Sequence, residues 1–226
     1  MDDATVDTTQ VVDVVLDPKD PMACARQIVA EKFTTNGLRT LWRYRGTFWS
    51  WTGSYYQLIN DETLRAHVWE FLEKAQKLTA RGAMVPFKPK RVQVGEICDA
   101  MTAVCQLDEH LEAPAWLAIG ADNKSPAIEF FSCANGLLHL PTGKLHPPTP
   151  DYFGLTASSV TYDRRAAKPE QWHNFLEQLF EQDREAVATL QEWFGYTLSP
   201  DTSQQKIFGV RWSKTQRQRD DCAYLD

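Results

Sequence analysis

Between Leu38 and Ile59 the chain alternates polar residues with aromatic or aliphatic ones, through LWRYRGTFWSWTGSYYQLI, and interrupts the alternation at Gly46 and at Thr52-Gly53. A period of two sends successive side chains to opposite faces of an extended strand. Glycine-bearing breaks between such runs mark tight turns. The stretch therefore predicts three short antiparallel strands in a meander. In the first strand Leu41, Arg43 and Arg45 face one way, and Trp42 and Tyr44 the other. Two readings follow. Arginines beside aromatics can form a stacking platform for single-stranded nucleic acid, which makes Arg39, Arg43 and Arg45 candidate contacts. Alternatively, the aromatics fill a core and the arginines lie in water.

Helices flank this meander. Residues 1–20 are acidic and poor in large apolar groups outside Val11 to Leu16, which predicts a mobile N-terminus with one short strand. Pro21 suits a first helical turn, and Ala23, Ile28, Val29 and Phe33 share a face up to the Asn36-Gly37 turn. Asn60 or Asp61 caps a helix from Glu62 to about Leu78, with Leu64, Val68, Phe71, Leu72 and Ala75 as its buried stripe. A further helix is expected from about Val92 to Leu107. Asn135-Gly136 carries a type I′ hairpin signal that would pair Ile128–Ala134 with Leu137–Leu140, and Pro141 to Gly143 turns Lys144–His146 back along it. Pro147-Pro148-Thr149-Pro150 is stiff and reads as a domain boundary. A short strand is expected at Val160–Tyr162. Pro169 then opens one helix, with Trp172, Phe175, Leu176 and Leu179 on its apolar face. Asp183 caps another through about Leu198, with Val187, Leu190, Trp193 and Phe194 facing the first. The fold class is α+β, mostly helical. It has an antiparallel aromatic-rich meander near the N-terminus and a β-hairpin in the middle, and ends in a helical hairpin.

The chain has 226 residues and a net charge of −6, so its whole surface does not attract nucleic acid. One stretch reverses that balance. Lys74, Lys77, Arg81, Lys88, Lys90 and Arg91 are six cations with no acid between them. Phosphate contacts need such a cluster, and contacts of this kind weaken with salt. A solvated basic loop is the alternative. The five cysteines, at 24, 98, 105, 133 and 222, form no Cys-x-x-Cys pair, which points to a reducing compartment. With no signal peptide and no run of 18 apolar residues, a soluble, cytoplasmic protein without membrane contact is expected. His110 stands in an acidic loop, and His139 and His146 flank a turn without a third ligand nearby. Neither arrangement is assigned a metal. Nucleophile-elbow, zinc-helix and dinucleotide motifs are absent from the sequence. No residue is assigned catalysis.

After the second C-terminal helix come a polar turn, Ser199-Pro200-Asp201, and a strand, Lys206–Val210. A strand placed so is the standard entry to a phosphate-binding loop. The sequence that follows, RWSKTQRQRDDCAYLD, has no glycine. Back-translated with allowed codons and shifted by one base, Arg211 to Leu225 reads Gly-Gly-Pro-Lys-Arg-Ser-Gly-Lys-Gly-Thr-Ile-Ala-Arg-Ile-Leu. Residues 211–226 are thus expected to be a disordered tail of the kind a frameshift produces, with marginal order beyond about Ser199.

A set of local motifs carries a family resemblance. These are Asn135-Gly136-Leu137-Leu138 with Thr142-Gly143, Pro150-Asp151-Tyr152-Phe153, Tyr162-Asp163, Trp172 with Phe175-Leu176, LQEWFGY from Leu190 to Tyr196, and DTSQQKIF from Asp201 to Phe208. Together they resemble the pre-motor domain of phage- and plasmid-encoded DNA primase–helicases, an arrangement shared by the poxvirus enzyme. The resemblance is good over roughly Ile128 to Phe208 and looser before it. It implies that a superfamily-three helicase motor follows, an ATPase working as a ring with ATP and magnesium. The chain departs from that pattern at Arg211, so no ATP-binding residue and no cofactor can be placed here. The implied organisation is a mobile start (1–20), an α+β region (21–146), a pre-helicase segment ending in the motor's first strand (147–210) and the tail (211–226). The implied role is positioning single-stranded or forked DNA, or assembling the helicase ring, with self-association needing the motor. A free-standing protein-interaction module, or a decayed prophage product, is the alternative.

Overall fold

The computed structural model describes residues 14–117, 125–180 and 183–199. The expected strand at Lys206–Val210, the tail at 211–226 and the first 13 residues lie outside these. The chain divides into two compact units, Met1–Arg164 and Arg165–Asp226.

The first unit begins with Val14–Leu16, then α1 (Pro21–Lys32). Asp20 caps α1, its carboxylate accepting from Ala23 N at 2.9 Å. Two short strands follow, β1 (Thr34–Thr35) and β2 (Leu38–Arg39), joined by Asn36 and Gly37 at φ 51° and 77°. Left-handed backbone at both loop residues is what a two-residue hairpin of primed type requires. The meander is present as expected: β3 (Leu41–Tyr44), β4 (Thr47–Trp51) and β5 (Tyr56–Ile59) lie in that order. Trp42 pairs with Trp49, and Trp51 with Tyr56, so the register keeps aromatics aligned across the strands. Arg45 has left the strand face expected for it. With Gly46 it forms a second left-handed turn, at φ 49° and 81°.

The sheet is covered on both faces. Leu41, Phe48 and Ile59 join a helical core containing Ile28, Leu64, Val68, Leu72, Val94 and Met101. On the other face Tyr44 and Tyr56 enclose Phe153, with Trp42, Trp49 and Trp51 packed around them. The ring centroids of Tyr44 and Tyr56 lie 5.2 Å and 4.9 Å from that of Phe153. Aromatic contacts of this geometry add stability beyond the area they bury.

Helix α2 (Asp61–Lys74) starts at the Asn60 cap, whose side chain accepts from Thr63 N at 2.7 Å. It ends four residues before the sequence expectation. Gln76 instead trades backbone hydrogen bonds with the N-terminal segment, Leu16 N to Gln76 O and Gln76 N to Val14 O, both 2.8 Å. The residues read as the last helical turn become β6 (Gln76–Leu78), which pairs with β7 (Met84–Pro86). Helix α3 (Arg91–Val104) likewise ends before Leu107. Arg43 N donates to Cys105 O and Leu107 N to Arg43 O, which draws the chain onto β3 and buries Leu107 among the aromatics. Helix α3 packs against both α1 and α2.

Beyond α3, β8 (Ala115–Trp116) pairs with β12 (Tyr152–Phe153). A 3-10 turn at Ala127–Glu129 leads into the sheet of β9 (Phe130–Cys133), β10 (Gly136–His139) and β11 (Lys144–His146). The middle hairpin is thus present, but its turn is shifted by one residue. Gly136 pairs with Cys133, and the loop is Ala134-Asn135. Gly136 is needed for closeness instead: a Cβ there would stand 2.6 Å from His146 O. The strand expected at Val160–Tyr162 falls at Tyr152–Phe153. Residues 158–162 are held to the hairpin by separate bonds, among them Ser158 N to Ser132 O and Ala134 N to Val160 O.

The second unit is the expected helical hairpin, α4 (Glu170–Phe180) and α5 (Arg184–Thr197). Asp183 caps α5, accepting from Ala186 N at 3.0 Å. Leu176 and Leu190 are buried, while Trp172 stacks on Phe175 and meets Phe194 edge-on.

Candidate nucleic-acid interface

The six cations of the Lys74–Arg91 segment are distributed over the end of α2, the β6–β7 hairpin and the start of α3. The hairpin is rooted by Phe87, which is fully buried and donates its N–H to Ala75 O at 3.0 Å. Its far end is closed by Thr79: the Thr79 N–H donates to Ala83 O, its carbonyl accepts from Gly82 N, and its hydroxyl oxygen accepts from Ala83 N at 3.1 Å. Gly82, at φ 76°, supplies the left-handed residue this loop requires. Arg81 stands exposed on the loop. Pro86 sits in the outer strand, where a missing N–H costs no ladder bond.

Past Phe87 the backbone of Lys88 is left-handed, at φ 52°, and not simply extended as the Pro86–Pro89 run suggests. Lys88, Lys90 and Arg91 are exposed. Lys90 precedes α3, its N–H donating to the Gln93 side chain at 3.1 Å. Two of the six cations have internal partners. Lys74 bonds Glu70 at 2.9 Å, and that ion pair, helped by Lys32 at 3.7 Å, holds the Glu70 carboxyl below its usual range. The Lys77 ammonium lies 5.8 Å over the Phe87 ring. Arg81, Lys88, Lys90 and Arg91 have no ion-pair partner among the described residues. Lys90 and Arg91 also stand at the amino end of α3, where the helix dipole is positive, and no acid occupies that first turn. The local potential is therefore positive on a chain that is acidic as a whole.

The arginines of the meander do not join this group. Arg39 Nη1 donates to Val104 O at 2.7 Å, satisfying a carbonyl at the carboxyl end of α3, and its guanidinium lies 4.7 Å over Trp42. Lys90 and Arg91 are at the other end of that 14-residue helix, about 20 Å away at 1.5 Å per residue. Arg43 lies over Phe48 at 5.3 Å. Arg45 forks onto Glu112 at 2.9 and 3.0 Å and covers Tyr44. All three have bonding work within the protein.

The histidines of the middle hairpin are likewise engaged. His139 is buried, with Nε2 2.9 Å from Glu129 Oε2 and Nδ1 2.8 Å from Thr142 Oγ1. Among the described residues no three His, Cys, Asp or Glu side chains converge as a metal site, and no helix is long and apolar enough to cross a membrane. The β6–β7 hairpin itself escaped the sequence reading. Its signal was Gly82 between two short runs, Gln76–Leu78 and Met84–Pro86, at the end of a convincing helical stripe.

A comparison with known families matches residues 26–181 to the family described as D5 N terminal like. The match covers well over half of the sequence, from within α1 to the end of α4. The chain belongs to the D5 N terminal like family. This is the N-terminal domain of D5-like primase–helicases of phages and plasmids. The match takes in the meander and the basic hairpin, where the motif resemblance was loose, as well as the middle hairpin. A search of curated proteins finds no match.

Proposed function

We propose that this domain positions DNA for a primase–helicase-type replication protein, holding backbone phosphates with the Lys74–Arg91 segment. One observation carries the reading: the cation-rich stretch, free of acids, stands on an exposed hairpin and helix start with Arg81, Lys88, Lys90 and Arg91 lacking ion-pair partners among the described residues. Such contacts position nucleic acid without reading its sequence. The DNA would be single-stranded or forked, in the cytoplasm of a bacterial or phage-infected cell. Arg39, Arg43 and Arg45 fasten the meander in this reading and do not contact DNA. ATP hydrolysis and ring assembly belong to a motor of the kind that follows this domain in the family.

The test is a salt titration with single-stranded oligonucleotides. Binding should be weak and should fall steeply with salt. Lys88→Glu, Lys90→Glu and Arg91→Glu together should lower the slope of log affinity against log salt by about 2, at about 0.7 for each single-strand phosphate no longer neutralised. An unchanged slope would remove this segment from the account.

A further inference from the structure

The outer face of the β6–β7 hairpin is apolar. Leu78 and Met84 are paired across the two strands and are 58% and 54% exposed. Gln76 and Pro86, the next pair on that face, are also open to solvent to different degrees. The alternate face, with Lys77 and Val85, turns toward the buried Phe87. These two large aliphatic side chains, each more than half exposed at the end of a rooted hairpin, belong to none of the hydrophobic cores of the first unit. They are bracketed by Arg81 in the loop and by Lys88, Lys90 and Arg91 beyond the base. A surface with cations on both sides of an apolar pair is complementary to a nucleic acid whose phosphates flank exposed base faces.

The kind of apolar residue narrows the partner. Platforms for single strands use aromatic rings, on which bases stack. Aliphatic side chains instead enter between base steps of a duplex and unstack them, while flanking cations hold the phosphates. Unstacking takes least free energy where the duplex already ends or frays. We infer that the β6–β7 hairpin is a wedge for a duplex–single-strand junction, with Leu78 and Met84 entering at the last base pair and Arg81 and Lys88 on the adjoining phosphates. This rests on the DNA-positioning reading above and narrows its substrate to forked DNA.

The test uses the full chain and three probes of equal total length: a single strand, a blunt duplex, and a fork carrying 2-aminopurine in its terminal base pair. The intact protein should bind the fork about fivefold more tightly than the single strand and should raise the 2-aminopurine emission, because the wedge unstacks the terminal pair. Leu78→Ser with Met84→Ser should abolish the emission rise and the fork preference, yet leave single-strand affinity unchanged. Both positions are exposed, so the melting temperature should hold, which confirms that the variant is folded. No preference for the fork, or an emission rise that survives the double substitution, overturns the wedge while leaving DNA positioning standing. Absence of any DNA binding at low salt overturns both. If the double substitution instead dissolves a self-associated form seen by sedimentation, the apolar pair serves a second copy of the chain and the wedge is wrong.

Discussion

Tyr56 is fully buried between the meander and Phe153, and its hydroxyl reaches Pro150 O at 2.6 Å and Arg39 O at 3.2 Å. Removing it would leave a part-buried carbonyl without its donor. Tyr56→Phe should therefore lower unfolding free energy by about 1–3 kcal/mol in a urea titration. Gly136→Ala meets a different obstacle. The new methyl would stand 2.6 Å from the His146 carbonyl, so β11 must move, and the expected loss is about 1–3 kcal/mol. Burial also pushes the Cys24 and Cys105 thiols from 9.0 up to about 11, Cys24 with help from Asp20 and Asp17, and it raises the Tyr56 and Tyr152 phenols. The folded values lie above the unfolded ones, so the unfolded chain gives up its protons first. The stability tied to the two thiols is whole below their unfolded value of 9.0 and is lost as pH rises through about 11. Urea midpoints measured from about pH 8 to pH 11 should fall on the alkaline side, and the two thiols should resist alkylation until the chain unfolds.

The helices were largely legible as elements because their information is local. Asp20, Asn60 and Asp183 each cap the helix that a polar residue before an apolar stripe announces. Their ends were less legible. Gln76 and Leu107 leave the helical pattern where segments distant in sequence, Val14–Leu16 and β3, bond their backbones. A stripe such as Leu64, Val68, Phe71, Leu72 and Ala75 does not encode that competition. The carboxyl end of α3 offers an element-scale test. Arg39→Met keeps the stem over Trp42 but withdraws the donor from Val104 O, and should cost about 1–2 kcal/mol without altering DNA affinity. A matching loss of DNA affinity would show that Arg39 also serves the interface.

Over the whole molecule, the division between Arg164 and Arg165 falls in a segment where residues 163–170 are all exposed. Among the described residues outside the Arg81 loop, trypsin should cut first after Arg164 or Arg165, since Lys168 is protected by Pro169, and should leave a fragment of the first unit that resists further digestion. Early cuts spread through the first unit would contradict this. The family match spans this division and reaches α4. The candidate site lies entirely within the first unit, on a hairpin whose first strand is also bonded at Gln76 by the N-terminal segment.

Whatever depends on neighbours along the chain was already written in the residues. That includes the meander with its two faces, the helix caps, the helical hairpin, the acid-free run of cations and the family to which the motifs point. Folding in three dimensions settled which cations are free. Lys74 goes to Glu70, Lys77 to the face of Phe87, and Arg39 to the end of α3, while Arg81, Lys88, Lys90 and Arg91 stand without an ion-pair partner among the described residues. It also turned the expected end of α2 into a strand and so made a basic helix-and-loop into a projecting hairpin. The reason is that a charge or a backbone amide takes whichever partner the folded chain brings within about 3 Å, and that partner need not be near in sequence.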